Sequence, residues 1–408
     1  MPFMIFELGS GSSIPRTLGY VFMMTTVLKP RLCYGRLNKA IWFFAAYLVM
    51  YLLVAFRTFL ILPDPESSNL VIAVMSGFQT LVQLIVLFWV SSNLLADNRV
   101  ARASLFAFTA GCILLGVIQS LGYTGEVVSV DGRIAAFGTN PNLIAGFLVL
   151  GLVTLVGLAY GQANMNRAAR VCFWLFSALL FIAIMRTGSR GGVLALFAGC
   201  SVFVVHRASF WQRIKVWAIV VVGIVLLVIA SFTIDTMRTR WERTFIEGEI
   251  AGRDEINAEA EDMIAERPFF GWGPTYHQVE LGRRVGYPTA RDFHNLFFHL
   301  LTEVGFVGSL PFFLGVIVCF RFAWKARKTS QGVLPLAMLT SMLAMNLGGT
   351  LITERTLWLA FAYTAASATY PIVRRQAQSF DAIKLRRVRP GASQPVLSNL
   401  SHYKGRSV

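Results

Sequence analysis

Charged side chains are scarce in this chain. Asp, Glu, Lys and Arg make up only 14% of 408 residues, against 55% hydrophobic ones, too little charge to cover the surface of a soluble domain, for which about 25% is usual. Lysine is scarcer still, with 7 residues, and there are only 5 histidines and 5 cysteines. The cysteines stand at 33, 112, 172, 200 and 319, with no Cys-x-x-Cys pair and no Cys/His spacing of a metal site. A structural zinc finger and a disulfide framework are therefore not indicated. No internal repeat and no low-complexity run interrupts the chain before a polar tail from about 376.

Long apolar runs fill the rest. A hydrocarbon core about 30 Å thick needs about 20 mostly apolar residues per helix. Ten stretches meet that need: 39–61, 69–94, 100–121, 142–160, 168–187, 190–206, 213–232, 295–321, 333–351 and 356–372. The first 28 residues read as a short helical hairpin or two half-helices, because ELGSGSSIPR separates two apolar runs each too short to span. The expected fold is all-α, a polytopic membrane helical bundle of about 10–12 transmembrane helices with one large periplasmic loop. The transmembrane domain is expected to cover 1–375 with the loop at about 233–294 included, and 376–408 to form a basic, disordered cytoplasmic tail.

Basic loops set the orientation, since short cytoplasmic loops accumulate Lys and Arg. KPRLCYGRLNK, ADNRVAR, NRAAR, HRASFWQRIK and RFAWKARK alternate with less basic connections, so the formal charge of +16 follows from topology and calls for membrane lipid, not nucleic acid, as the partner of the basic tail. All seven lysines fall on the cytoplasmic side, while every outer-side cation is an arginine. Arginine offers phosphate a planar fork of donors; a chain with 30 Arg would show the same bias by composition alone.

The outer loops concentrate the polar chemistry. DGRIAAFGTNPNL carries Arg133 and Asn142, MRTGSRGG carries Arg186 and Arg190, and the long loop carries Arg283, Arg284, Arg291 and His294. Charge at the membrane is costly unless it is paired or meets a ligand, and the start of helix 190–206 at SRGG adds a positive helix end suited to phosphate. As a residue type, histidine serves as a general base near neutral pH; the plainer reading of His294 is a helix-start residue with Asp292 as the cap. His299 reads as packing. Glu303, inside the same apolar run, is expected to pair with or orient an outer arginine. Within the long loop, IAGRDEINAEAEDMIAERP predicts an amphipathic helix with Ile256, Ala260, Met263 and Ile264 on one face, ended by Pro268. FFGWGP suits a turn along the membrane interface, and TYHQVELGRRVGYPTARDF reads as a loop.

GRIAAFGTNPNLIAG, TGSRGG, ERPFFGWGP and HNLFFHLLTEVGFVG, in which ten residues separate His294 from Gly305, occur in an order that resembles the O-antigen ligase family of polytopic membrane glycosyltransferases, which includes related polymerases and protein O-oligosaccharyltransferases. The resemblance implies about twelve helices and a reaction without metal, cofactor or nucleotide sugar. The donor would be a glycan on an undecaprenyl diphosphate carrier, and a lipid-linked or glycan hydroxyl would be the acceptor. It also implies a bacterial inner (plasma) membrane location with a cytoplasmic C-terminus. On matching positions, His294 would be the base, and Arg190 with a long-loop arginine would hold the diphosphate. Arg291 is the simplest choice for the second, with Arg283 and Arg284 competing and Arg133 weaker. Arg186, Asn142 and Glu303 would support them. Against a full family member the N-terminal helices are short. The C-terminal extension of the oligosaccharyltransferase members is missing, which turns the expectation away from a protein acceptor. Ligation of O-antigen to lipid A-core leads, with polymerisation of repeat units second. A transporter of an anionic solute would need polar groups continuing across the bilayer, and the helix interiors are apolar.

Overall fold

The computed structural model describes residues 7–8, 12–61, 67–122, 140–160, 165–205 and 253–371, with the single positions Ile214 and Arg238. Among the described residues the regular elements are helices, apart from β1 (Glu7–Leu8) and β2 (Ser12–Ser13), a two-residue antiparallel pairing. The expected span at 213–232, the loop up to 252, Arg133 and the tail from 376 lie outside the described residues.

After the strands comes one helix, α1 (Ile14–Val27), then the short α2 (Pro30–Tyr34). Of the short helical hairpin or two half-helices expected over the first 28 residues, the first apolar run lies outside the described residues, and the second forms the single helix α1, with Pro15 in its first turn, where proline starts a helix readily. The long apolar runs then fold as read: α3 (Lys39–Ile61), α4 (Ser67–Leu94), α5 (Asn98–Ser120), α6 (Pro141–Tyr160) and α7 (Arg167–Arg186). Among the described residues these five and α11 (Leu296–Ala326) are long and apolar enough to cross a membrane. The chain is a polytopic helical membrane protein.

α8 (Arg190–Val205) follows the expected 190–206 as far as the chain is described, whereas two expected spans are shorter helices: α12 (Leu334–Met345) and α13 (Arg355–Ser367). The cause for α12 is Asn346. Its side-chain amide donates to Met342 O at 2.8 Å and its Oδ1 accepts from Leu351 N at 3.0 Å, which folds 346–351 into a turn and ends the helix.

The bundle is held by close packing, since lipid supplies little hydrophobic drive between helices. α11 lies chiefly on α3, α12 on α8 and α13 on α4. Phe44, Phe88, Phe312, Trp358 and Phe361 meet at the centre as an aromatic cluster joining α3, α4, α11 and α13.

α9 (Arg253–Glu266) and α10 (Tyr276–Arg284) form a separate layer. α9 turns Ala260 and Met263 into a small core with Trp272, Leu281 and Phe293, on the face its apolar spacing predicts. α10 is a helix where a loop was expected. Val279 on its outer face is exposed while His277, Glu280 and Leu281 are buried, so its inward face is largely polar and leaves no apolar periodicity to read.

The two layers are joined by backbone. α11 is broken at Gly305, which takes φ 70° and ψ −175°. In a continuous helix Phe306 and Val307 would donate to Thr302 and Glu303. Here Phe306 N donates to Pro268 O (2.8 Å) and Val307 N to Phe269 O (3.1 Å), while Thr302 O and Glu303 O accept from Trp272 N (2.8 Å) and Gly273 N (2.9 Å). PFFGWG thus replaces two rungs of the helix, the arrangement by which irregular backbone is tolerated at membrane depth. A Cβ on Gly305 would collide with the backbone of Phe269 and Phe270. The motif is therefore an inserted strap more than an interfacial turn: Phe269 and Phe270 are exposed, but Trp272 is buried and donates to Met263 O. Beyond the break, Phe306–Ala326 alone is about 31 Å long at about 1.5 Å per residue, enough to cross the hydrocarbon core.

Candidate active site

TGSRGG builds a helix-to-helix corner. Gly188, at φ 64°, turns the chain after α7. Ser189 then caps α8, its Oγ accepting from Gly192 N at 3.1 Å, and its own N–H donates to Thr187 Oγ1 at 3.2 Å. Asn140 does the same for α6, accepting from Asn142 N at 2.9 Å. Both helix starts line one open cavity, through Asn142 and through Ser189, Arg190 and Gly191. Its other walls are Met345, Gly348 and Arg253, whose Nη2 donates to Gly348 O at 3.0 Å.

The structure thus brings together Asn142 and Arg190, as expected, and adds Arg253 from 63 positions further along the chain. Arg190, Arg253 and the starts of two helices line one polar space, a combination of residue types suited to a phosphate-bearing anion. Arg186 ends α7 and is not among the lining residues.

His294 stands just outside α11. The cap of that helix is Asn295, whose Oδ1 accepts from Phe297 N at 2.9 Å, and not Asp292 as the sequence suggested. Asp292 instead has its Oδ2 3.1 Å from His294 Nδ1. Burial pushes the Asp292 carboxyl up, but the His294 hydrogen bond and the neighbouring His299 outweigh it and hold it below the usual range. His294 itself has φ 52°, a left-handed backbone uncommon outside glycine; such strain persists only where the surroundings enforce it. About 39% of its side chain is exposed, so a substrate can reach it.

The turn after α12 links this histidine to the cavity. Asn346 O accepts from Leu296 N at 2.9 Å, and two residues on Gly348 O accepts from Arg253. Sequence reasoning missed this turn, although GG after an apolar run is a turn signal.

The other long-loop arginines have different settings. Arg284 donates to Glu280 (2.8 Å) and to both oxygens of Glu266 (2.7 Å each), with its guanidinium 4.8 Å from the Trp272 ring centroid. It is a clamp between α9 and α10. Arg283 pairs with Glu280. Hydrogen bonds from Arg283 and Arg284 hold the Glu280 carboxyl below its usual range despite burial, and the Arg284 hydrogen bond does so for Glu266. Arg291 lies close to His294 in sequence, with its guanidinium 3.5 Å from the Tyr287 ring centroid and its N–H bonded to Gln278 O at 2.9 Å.

Among the described residues Glu303 meets no arginine. It accepts from Tyr47 Oη, on α3, at 2.9 Å and lies 3.9 Å from His299 Nε2, one helical turn before it. His299, read as packing, is 3.3 Å from His277. His277 was missed because its segment gave no helical signal.

Residues 175–313 match the model of the family described as O-Antigen ligase. The matched stretch runs from within α7 to within α11 and takes in Arg190, Arg253, His294 and the break at Gly305, so the resemblance drawn from the motifs holds for this part of the chain. No curated protein matches the chain.

Proposed function

We propose that this O-antigen-ligase-like membrane protein is a glycosyltransferase that moves a glycan from a polyprenyl diphosphate carrier, undecaprenyl diphosphate in a bacterial inner membrane, to an acceptor hydroxyl. The observation that carries the reading is the convergence of Arg190 and Arg253 on helix N-termini, across one short turn from the Asp292–His294 pair.

Arg190 and Arg253 hold the diphosphate, and Asn142 and the α6 and α8 starts add donors. Two fixed cations offset the charge that grows on the leaving group, where preorganised donors act most strongly. Asp292 accepts from His294 Nδ1, which leaves Nε2 to take a proton. The acceptor oxygen attacks the anomeric carbon as His294 removes its proton; the carbon–oxygen bond to phosphate breaks, and the lipid diphosphate departs with inversion at carbon. Arg291 contacts the sugar-bearing end of the donor near His294, and Arg284 supports the site from a distance by holding α10 to α9.

In this reading the 253–295 layer faces the periplasm and the C-terminal tail faces the cytoplasm. Ligation to a lipid A-core acceptor is preferred, with polymerisation as the second reading. A transporter would use a broken helix to expose a ligand site; the break in α11 is filled by the strap from 268 to 273, which favours transfer chemistry.

The test is reconstitution in proteoliposomes with an undecaprenyl-diphosphate-linked glycan and either a lipid A-core acceptor or a second donor molecule. Transfer with release of one lipid diphosphate per glycan is expected. Solute uptake without glycan transfer would contradict the proposal.

A further inference from the structure

We propose that His277, His299 and Glu303 form a buried site for one divalent transition-metal ion of the zinc class, separate from the transfer chemistry, which staples the 253–295 layer to the broken helix α11. The three side chains each offer one ligand atom, all within 4.8 Å of one another. All three are buried, at 1%, 7% and 5% exposure, whereas His294 is open.

The case rests on which atoms face one another. His277 Nδ1 is 3.1 Å from Gly273 O, and a carbonyl only accepts, so Nδ1 carries the proton and Nε2 presents a lone pair to His299 Nδ1 at 3.3 Å. His299 Nε2 also lies 3.9 Å from Glu303 Oε1. His299 thus meets an acceptor at each ring nitrogen, His277 Nε2 and Glu303 Oε1, in a buried space, and one imidazole proton cannot serve both. A cation removes the conflict.

Three features favour a metal ion over an extra proton. Two imidazole nitrogens and a carboxylate oxygen are a ligand set typical of zinc. With metal–nitrogen distances of about 2.0–2.1 Å, the edge of a tetrahedron is roughly 3.3–3.4 Å, which the 3.3 Å between His277 Nε2 and His299 Nδ1 matches, and a Glu303 oxygen lies within 4.8 Å of the ligand nitrogens, to be drawn in by the ion. Both outer ligands already have the partners that orient metal-binding side chains, Gly273 O on His277 and Tyr47 Oη on Glu303. A water completes the shell.

The test uses the full chain purified in detergent without a histidine tag, loaded with Zn²⁺ or Co²⁺ and dialysed. About one equivalent of metal by mass spectrometry, and a tetrahedral Co²⁺ absorption spectrum, are expected. Both should be lost in His277→Gln and His299→Gln and retained in His294→Gln and in the His206→Gln/His402→Gln double variant. Because a site variant can misfold, the wild type is also melted with 1,10-phenanthroline: Tm should fall and recover with Zn²⁺. A wild type that binds no stoichiometric metal and whose Tm ignores chelator and Zn²⁺ overturns the proposal and assigns the space to a shared proton. Metal retained by both site variants also overturns it.

Discussion

Asp292 Oδ2 lies 3.1 Å from His294 Nδ1, across a single residue, Phe293, whose ring is buried and stacked on His277 with an interplanar angle of 10°. Phe293 anchors the pair from behind, and the left-handed backbone at His294 turns its imidazole out. A carboxylate on Nδ1 fixes the tautomer and favours the protonated ring that forms during transfer. Asp292→Asn should therefore fold normally and lower kcat roughly 10- to 100-fold, with the donor KM little changed. Measuring both constants in proteoliposomes checks this; a change confined to KM would remove Asp292 from the proton step.

The arginines should separate by kinetic constant. Arg190→Ala and Arg253→Ala are each expected to lower kcat/KM roughly 100- to 1000-fold, and lysine should rescue either poorly, because a point charge replaces a fork. Arg284→Gln should instead lower thermal stability, by about 1–3 kcal/mol from leaving buried Glu280 short of a partner, while the folded fraction keeps its donor KM. Equal kinetic damage from Arg284→Gln and Arg253→Ala would mean that the long-loop arginine was misplaced.

Gly305→Ala tests the strap. The added Cβ meets the Phe269 backbone and the residue must hold φ 70°, so a loss of about 2–4 kcal/mol is expected. Gly191 has nothing within 4 Å of a Cβ, and Gly191→Ala should melt like the wild type. The comparison is a pair of detergent melting curves.

Acid should loosen the 253–295 layer first. Glu266, Glu280 and Asp292 are all held below their ordinary range in the fold. Their contribution is complete above the unfolded-state value, about 4, and is lost as pH falls through the lower folded values. Hydrogen exchange of α9 and α10 should rise below about pH 4 while α3 and α11 beyond Gly305 stay protected. In Glu280→Gln that pH dependence should shrink.

What could be read in the sequence follows the physics of each signal. Spans such as α3, α6 and α7 announce themselves because lipid requires length and apolarity over the whole element. The cavity was half legible: Arg190 and Asn142 lie beside local turn signals, but Arg253 reaches them only through the fold, and no spacing links position 253 to 190. The break in α11 was illegible because Gly305 looks like any glycine in a membrane helix until PFFGWG supplies its replacement hydrogen bonds. α10 hid for a different reason: its inward residues, His277 and Glu280, are polar and satisfied by partners far away in sequence.

The most direct test of the central claim is single-turnover transfer from an undecaprenyl-diphosphate-linked glycan, comparing wild type with His294→Ala at equal amounts of folded, donor-binding protein. The account predicts unchanged donor binding and a transfer rate at least about 100-fold lower. A His294→Ala protein that transfers glycan at the wild-type rate would contradict it.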